Sequence, residues 1–212
     1  MSSAITAPII ACSRLRMQTD GKGITTLVCF HGCPLRCKWC INPFSFAPDT
    51  KRTQLTPQQL YDKVKLDELY FLATGGGVTF GGGEPLLYAP YLKEFRSICG
   101  DAWHLCAETS LNVPREMVQI AASCIDQFYI DCKDTNPEIY HSYTGKDNKQ
   151  MLENLKLLLS LVGPERIVIR VPLIPDFNTD ADRQASKALL ESMGITHFNF
   201  FTYRTSKAPE SH

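Results

Sequence analysis

Neither sign of charge is in excess. The 22 basic and 22 acidic side chains cancel over 212 residues, so the totals carry no electrostatic footprint for nucleic acid or an anionic membrane surface. No apolar run approaches the ~20 residues needed to span a bilayer. The opening MSSAITAPIIACS lacks the basic n-region and longer apolar h-region of a secretory signal. Internal repeats, low-complexity tracts and an interdomain linker are also missing, which leaves one domain over residues 1–212 as the expected organisation. A cytoplasmic protein with no nucleic-acid and no membrane partner is the expectation. An apolar share of 44% is enough to bury a core of ordinary size.

Cysteine, by contrast, is plentiful. Nine is an odd number, which argues against a complete disulfide framework. Cys29, Cys106 and Cys132 sit inside apolar segments, where buried thiols serve as small hydrophobes. Cys12, Cys99 and Cys124 have no evident partner. The other three fall in GCPLRCKWC, spaced C-x3-C-x2-C: Cys33, Cys37 and Cys40. Thiolates this close can converge on one metal centre, and soft sulfur selects iron–sulfur clusters or zinc. A closed structural zinc site wants four ligands, usually from two separated pairs, and no second C-x2-C exists here. A [4Fe-4S] cluster on three cysteines leaves one iron open to an outside ligand, which makes the site reactive. Zinc, or three unrelated thiols, are the bland alternatives.

Short β-rich runs alternate with amphipathic segments, the pattern of parallel strands joined by crossover helices. Strands are expected at residues 24–30, 78–80, 103–107, 127–131, 167–171 and 197–201. A helix starts at Thr56-Pro57, with the hydroxyl as N-cap and proline in the first helical position, and Leu60, Val64 and Leu69 supply its apolar face. Further helices are expected at residues 89–98, 114–123, 151–161 and 180–193, the last ended by Gly194. Such a right-handed α/β series makes an open doubly wound sheet or a partial barrel. Both gather active groups at the carboxyl ends of the strands.

The expected strand ends are chemically distinctive. The cysteine loop follows the first, where Pro34 disfavours further extension. GGGVTFGGGEP carries the second into Gly82, Gly83 and Glu84; glycines let the backbone approach a ligand, and a carboxylate beyond them can accept from an ammonium. A phosphate loop would need GK[ST] where Glu84 stands, and a plain tight turn is the modest alternative. Glu108-Thr109-Ser110 ends the third and Asp131-Cys132-Lys133 the fourth, positions that are ordinarily solvated caps. Arg170 lies in IRVPLIP on the fifth, and its guanidinium fork suits a carboxylate.

The C-x3-C-x-aromatic-C pattern, with Trp39 before the last cysteine, resembles the signature of the radical S-adenosylmethionine (SAM) superfamily. The wider GCPLRCKWCINP resembles the activating enzymes of glycyl radical enzymes, in the compact single-cluster form of the pyruvate formate-lyase type, since residues 41–77 hold no cysteine. DGKGITTLVCF is similar to the family's DGPGIR-type approach to its first strand, with Lys22 and Thr25 in place of proline and arginine. The GGE, E-T-S, D-x-K and IR-x-P-L-I-P stretches follow in the family's order, so the resemblance runs from about Asp20 to Tyr203.

The resemblance implies a partial (β/α)6 barrel and a [4Fe-4S] cluster on Cys33, Cys37 and Cys40 whose open iron chelates SAM. It puts Trp39 against the adenine, Gly82, Gly83 and Glu84 at the SAM amino group, and Arg170 on the SAM carboxylate. Glu108 and Thr109 help hold that carboxylate, in some members through a monovalent cation, while Asp131 and Lys133 contact SAM or orient its neighbours. Arg204 stands where relatives carry a ribose-binding histidine. The implied chemistry begins with a flavodoxin or ferredoxin-type donor reducing the cluster. SAM then yields methionine and a 5′-deoxyadenosyl radical, which takes hydrogen from a glycine Cα of a partner glycyl radical enzyme. Two other readings stay open. One is a small-molecule radical SAM enzyme such as the 7-carboxy-7-deazaguanine synthase type. The other is an iron–sulfur protein without SAM chemistry, which makes no use of Glu84, Asp131, Lys133 or Arg170.

Overall fold

The computed structural model describes residues 5–17 and 20–203. In chain order the elements are β1 (Ala7–Met17), β2 (Ile24–Phe30), β3 (Thr53–Leu55), α1 (Pro57–Val64), α2 (Glu68–Thr74), β4 (Gly77–Gly82), α3 (Ala89–Cys99) and β5 (His104–Thr109). They continue as α4 (Arg115–Ala122), β6 (Gln127–Asp131), α5 (Pro137–Thr144), α6 (Lys149–Val162), β7 (Ile167–Leu173), α7 (Asp180–Ser192) and β8 (Phe198–Thr202). One eight-stranded sheet runs in the order β3-β1-β2-β4-β5-β6-β7-β8.

β2, β4, β5, β6, β7 and β8 are parallel and lie side by side in chain order. A doubly wound sheet reverses direction at a switch point; this order never does, so the sheet coils one way into a partial barrel. It stays open between the β3/β1 edge and β8, yet Arg16 of β1 and Asn199 of β8 line one cavity. These six parallel strands are the six expected from sequence. Two antiparallel strands, β1 and β3, were not anticipated: β1 lacks a clean two-residue alternation because bulges interrupt its pairing with β2.

Local signals place the helices. Thr56 Oγ1 accepts from Gln59 N at 3.2 Å while Gln59 Oε1 accepts from Thr56 N at 2.9 Å, a capping box that starts α1. Leu69, expected on the same buried face, is instead 76% exposed. A 3-10 turn at Lys65–Asp67 resets the helical phase, and Phe71 becomes the buried residue of α2. α5 was not expected, although Asn136 caps its first turn and Gly145 ends it in the left-handed region. Phe71, Phe80 and Phe95 are fully buried around Trp103 between helices and sheet. Each such side chain stabilises the fold by roughly 1.5–3 kcal/mol. Among the described residues no helix is long and apolar enough to cross a membrane.

Candidate functional site

The cysteine loop leaves β2 and is held from two sides by backbone hydrogen bonds. From the end of β4, Gly83 N donates to Phe30 O at 2.9 Å and Glu84 N to Gly32 O at 2.7 Å. From the far side, the last carbonyls of α5 accept from the loop: Thr144 O from Arg36 N at 2.9 Å and Tyr143 O from Lys38 N at 3.1 Å. Arg36 Nη1 also donates to Cys33 O and Leu35 O, at 2.7 and 2.8 Å. The loop is thus tied down through main-chain atoms. Gly82 has φ +84°, and a Cβ on Gly83 would lie 2.2 Å from Gly32 O. Gly82 admits Cys29 and Phe30 at the end of β2, and Gly83 the backbone with which the cysteine loop begins.

A cavity of about 120 Å3 is lined by Cys33, Cys37, Cys40, Gly82, Gly83, Glu84, Glu108, Thr109, Asp131, Lys133 and Arg170, together with Ser110, Asn42 and Tyr203. It adjoins a larger one of about 580 Å3, which shares Glu108, Asp131, Arg170 and Tyr203 and adds Arg16, Asp20 and Asn199. Every residue expected at the site lines the smaller cavity except two. Trp39 lies outside that lining, its indole Nε1–H directed to Pro175 O at 3.3 Å. Arg204 falls outside the described residues.

Glu84 is 1% exposed, and its carboxylate is occupied by four protein donors. Oε1 accepts from Thr109 Oγ1 at 2.7 Å and Leu86 N at 3.2 Å; Oε2 accepts from Ser110 N at 2.8 Å and Ser110 Oγ at 2.7 Å. A carboxylate offers about four acceptor positions, so Glu84 splices the end of β4 to the end of β5. Burial, against these bonds, leaves its carboxyl above the ordinary range.

The charges opposite form a connected set. Arg170 Nη2 donates to Glu108 Oε1 at 2.6 Å, with Asp131 3.9 Å from its other branch, and the guanidinium lies over the Tyr129 ring. Lys133 Nζ bridges Asp131 Oδ2 at 3.0 Å and Tyr203 Oη at 2.8 Å. Burial alone would raise Asp131, but Lys133 and Arg170 outweigh it and hold its carboxyl below the ordinary value. Burial, helped by Asp131 and Asp20, raises Glu108 even against Arg170. Tyr203, which sequence reasoning passed over in favour of its neighbour Arg204, joins this set from just beyond β8.

All nine cysteines are free thiols. Cys106 and Cys132 are buried as expected; Cys29 is half-buried, its Cβ beside Gly82. Cys99 and Cys124 point their sulfurs at nearby backbone carbonyls. In the loop, burial pushes the Cys33 thiol up to about 12, with Glu84 adding to it. Burial also raises Cys37, against the pull of Lys133. Metal loading must expel these protons. Among the described residues no three His, Cys, Asp or Glu side chains are grouped to hold a single metal ion. An iron–sulfur cluster does not require that, because each thiolate takes a different iron, and the three soft donors on one cavity wall fit it.

A coiled parallel sheet with three loop thiols at its carboxyl edge defines a class, and comparison agrees: the Radical SAM superfamily model matches residues 27–188, so the chain belongs to that superfamily. Its cofactors are a [4Fe-4S] cluster and SAM. Within it, the chain is 30% identical to the (2S)-3-sulfopropanediol dehydratase activating enzyme of Klebsiella oxytoca, over 76% of this chain and 69% of that one. It is 28% identical to the pyruvate formate-lyase-activating enzyme of Staphylococcus epidermidis, over 77% and 67%. These relatives make it a member of the family of glycyl radical enzyme activating enzymes. A radical SAM methyltransferase from Sphaerobacter thermophilus shares the fold, with a TM-score of 0.63 and 16% identity over 96% of this chain and 70% of that one.

Proposed function

We propose that this chain installs a radical on a glycine of a partner glycyl radical enzyme of the pyruvate formate-lyase type. One observation carries the reading: the three thiols, a mixed set of buried charges and the 580 Å3 cavity meet at the carboxyl ends of the parallel strands. When bound, the cluster and SAM together supply one-electron cleavage of the sulfonium and hydrogen-atom abstraction. Cys33, Cys37 and Cys40 hold the cluster, and the main-chain tethers to Gly83, Glu84 and α5 keep their loop in place.

Across the cavity, Arg170 would hold the SAM carboxylate. Asp131, kept ionised by Lys133 and Arg170, faces the SAM ammonium. Thr109 and Glu84 act through each other, fixing the β4 and β5 ends beside the cavity that would take SAM. Lys133 and Tyr203 set the wall between the two cavities. A flavodoxin or ferredoxin-type donor reaches the cluster from the loop side. Nine free thiols suit the reducing cytoplasm, where we place the protein.

The test is anaerobic. Reconstituted protein should hold about four irons and four sulfides, and Cys33→Ala, Cys37→Ala or Cys40→Ala should lose them while Cys99→Ala keeps them. Reduced protein with SAM and a glycyl radical enzyme should then give a glycine-centred doublet in electron paramagnetic resonance that narrows on deuterating the glycine. Turnover of a small molecule, with no radical on a protein, would move the assignment to the deazaguanine-synthase type.

A further inference from the structure

In a regular strand, residues two apart share a face. Arg14 and Arg16 of β1 do not. Arg14 turns toward the helices and pairs with the buried Asp67 of the turn before α2. Arg16 turns into the barrel, where it lines the 580 Å3 cavity and makes a two-pronged pair with Asp20, Nε to Oδ2 and Nη2 to Oδ1 at 3.1 Å. The cause is a bulge: Ser13 faces Leu27 and Arg16 faces Thr25, so Arg14 and Leu15 together oppose Thr26 alone. Leu15 has φ +54°, a left-handed conformation that non-glycine residues rarely hold, and it is 41% exposed, so no core packing of its own compensates. Without the extra residue, Leu15 would face Thr25 and Arg16 would point at the helices.

Arg16 sits opposite Thr25 of β2. Thr25 Oγ1, its cross-strand neighbour, is buried with no hydrogen-bond partner among the described residues. The side chain of Asp20 is 8% exposed and that of Arg16 33%, so the carboxylate is the buried half of the pair and the guanidinium its open half. Nη1 makes none of the Asp20 bonds and is left for an acceptor in the cavity. On the opposite wall Asn199, from the edge strand β8, offers both a donor and an acceptor.

We infer that the β1 bulge serves to deliver Arg16 as a specificity-determining residue for an extended peptide. The Arg16 guanidinium donates to a peptide carbonyl, Asp20 fixes the guanidinium, and Asn199 meets the amide from across the opening. A backbone amide is the ligand class that matches a donor on one wall and a donor–acceptor group on the other, with the nearby charges already balanced among themselves. This rests on the protein-substrate reading above, and the experiment separates the two.

The probe is a fluorescent, end-blocked heptapeptide of alanine and serine with a central glycine, titrated anaerobically into the SAM-bound holoprotein and followed by anisotropy, with SAM affinity measured in parallel. Arg16→Met should weaken peptide binding about tenfold, the effect of losing one charge-assisted hydrogen bond. Arg16→Lys should recover part of it. Leu15→Gly, which adopts the bulge conformation without strain, should bind like the parent, and Leu15→Val, a β-branched residue hostile to it, should bind like Arg16→Met. If the parent binds no peptide, the protein-substrate reading fails and this inference with it. If the parent binds but Arg16→Met binds equally well, or loses SAM affinity in place of peptide affinity, only the role of Arg16 is overturned.

Discussion

Replacing Glu84 by glutamine keeps the shape of the side chain and removes half of what it does. In the parent, two backbone N–H groups, Leu86 at 3.2 Å and Ser110 at 2.8 Å, and two hydroxyls, Thr109 and Ser110, all donate to one buried carboxylate. An amide accepts at one end only. With its NH2 at the Ser110 end it meets an N–H that cannot turn away. With its NH2 at the other end it meets Leu86 N–H and a Thr109 hydroxyl that already accepts from Leu111 N at 2.9 Å. Either orientation strands one buried backbone donor, which costs about 1–3 kcal/mol. Relief of the buried charge works the other way, since burial already lifts the Glu84 carboxyl above its ordinary range, and keeps the loss at the lower end of that interval. For a chain of this length each kcal/mol moves the melting temperature by about 2–4 °C.

The measurement is calorimetry on metal-free protein, where no cofactor adds stability by mass action. Glu84→Gln should melt a few degrees below the parent and Ser110→Ala should follow by a smaller step, because it removes a hydroxyl but leaves Ser110 N–H bonded. A Glu84→Gln melting point within about 1 °C of the parent, accompanied by lost SAM affinity, would show that Glu84 serves the ligand and does not splice the strands.

Gly83→Ala should disturb the cysteine loop, because its Cβ would meet Gly32 O at 2.2 Å; we expect about 1–3 kcal/mol of destabilisation and a lower iron content after reconstitution, read by calorimetry and iron assay. Arg170→Gln should lower SAM affinity by about one to two decades, the loss of a charge-assisted contact, and equilibrium binding to oxidised holoprotein, which does not cleave SAM, checks it. Asp67 is held below the ordinary carboxylate range by hydrogen bonding to Arg14, against burial. A depressed folded pKa stabilises above the unfolded value, near 3.9, and that contribution is lost as pH falls through the folded value. Urea midpoints measured from pH 6 downward should therefore fall less steeply for Asp67→Asn than for the parent.

Much of this protein is written locally. The thiol spacing of Cys33, Cys37 and Cys40 states a three-ligand site, because a loop that short cannot carry its sulfurs far apart. The six parallel strands and the cap at Thr56 follow from patterns that act within a few residues, and so does the charge at each strand end. Only the tertiary structure decided the rest. Whether the sheet is doubly wound or coiled depends on which strands become neighbours, and no strand sequence specifies that. Glu84 reads as a ligand-facing carboxylate until the β5 end supplies it with three donors from about twenty-five residues away. Trp39 faces the Pro175 carbonyl because β7 passes beside the loop, and Tyr203 enters the site because β8 curls back to Lys133. Arg16 is an unremarked basic residue in an unpredicted strand until a bulge turns it inward. In each case the deciding contact joins segments far apart in the chain, and such pairings are selected by the packing of the whole sheet and its helices, which no local pattern encodes.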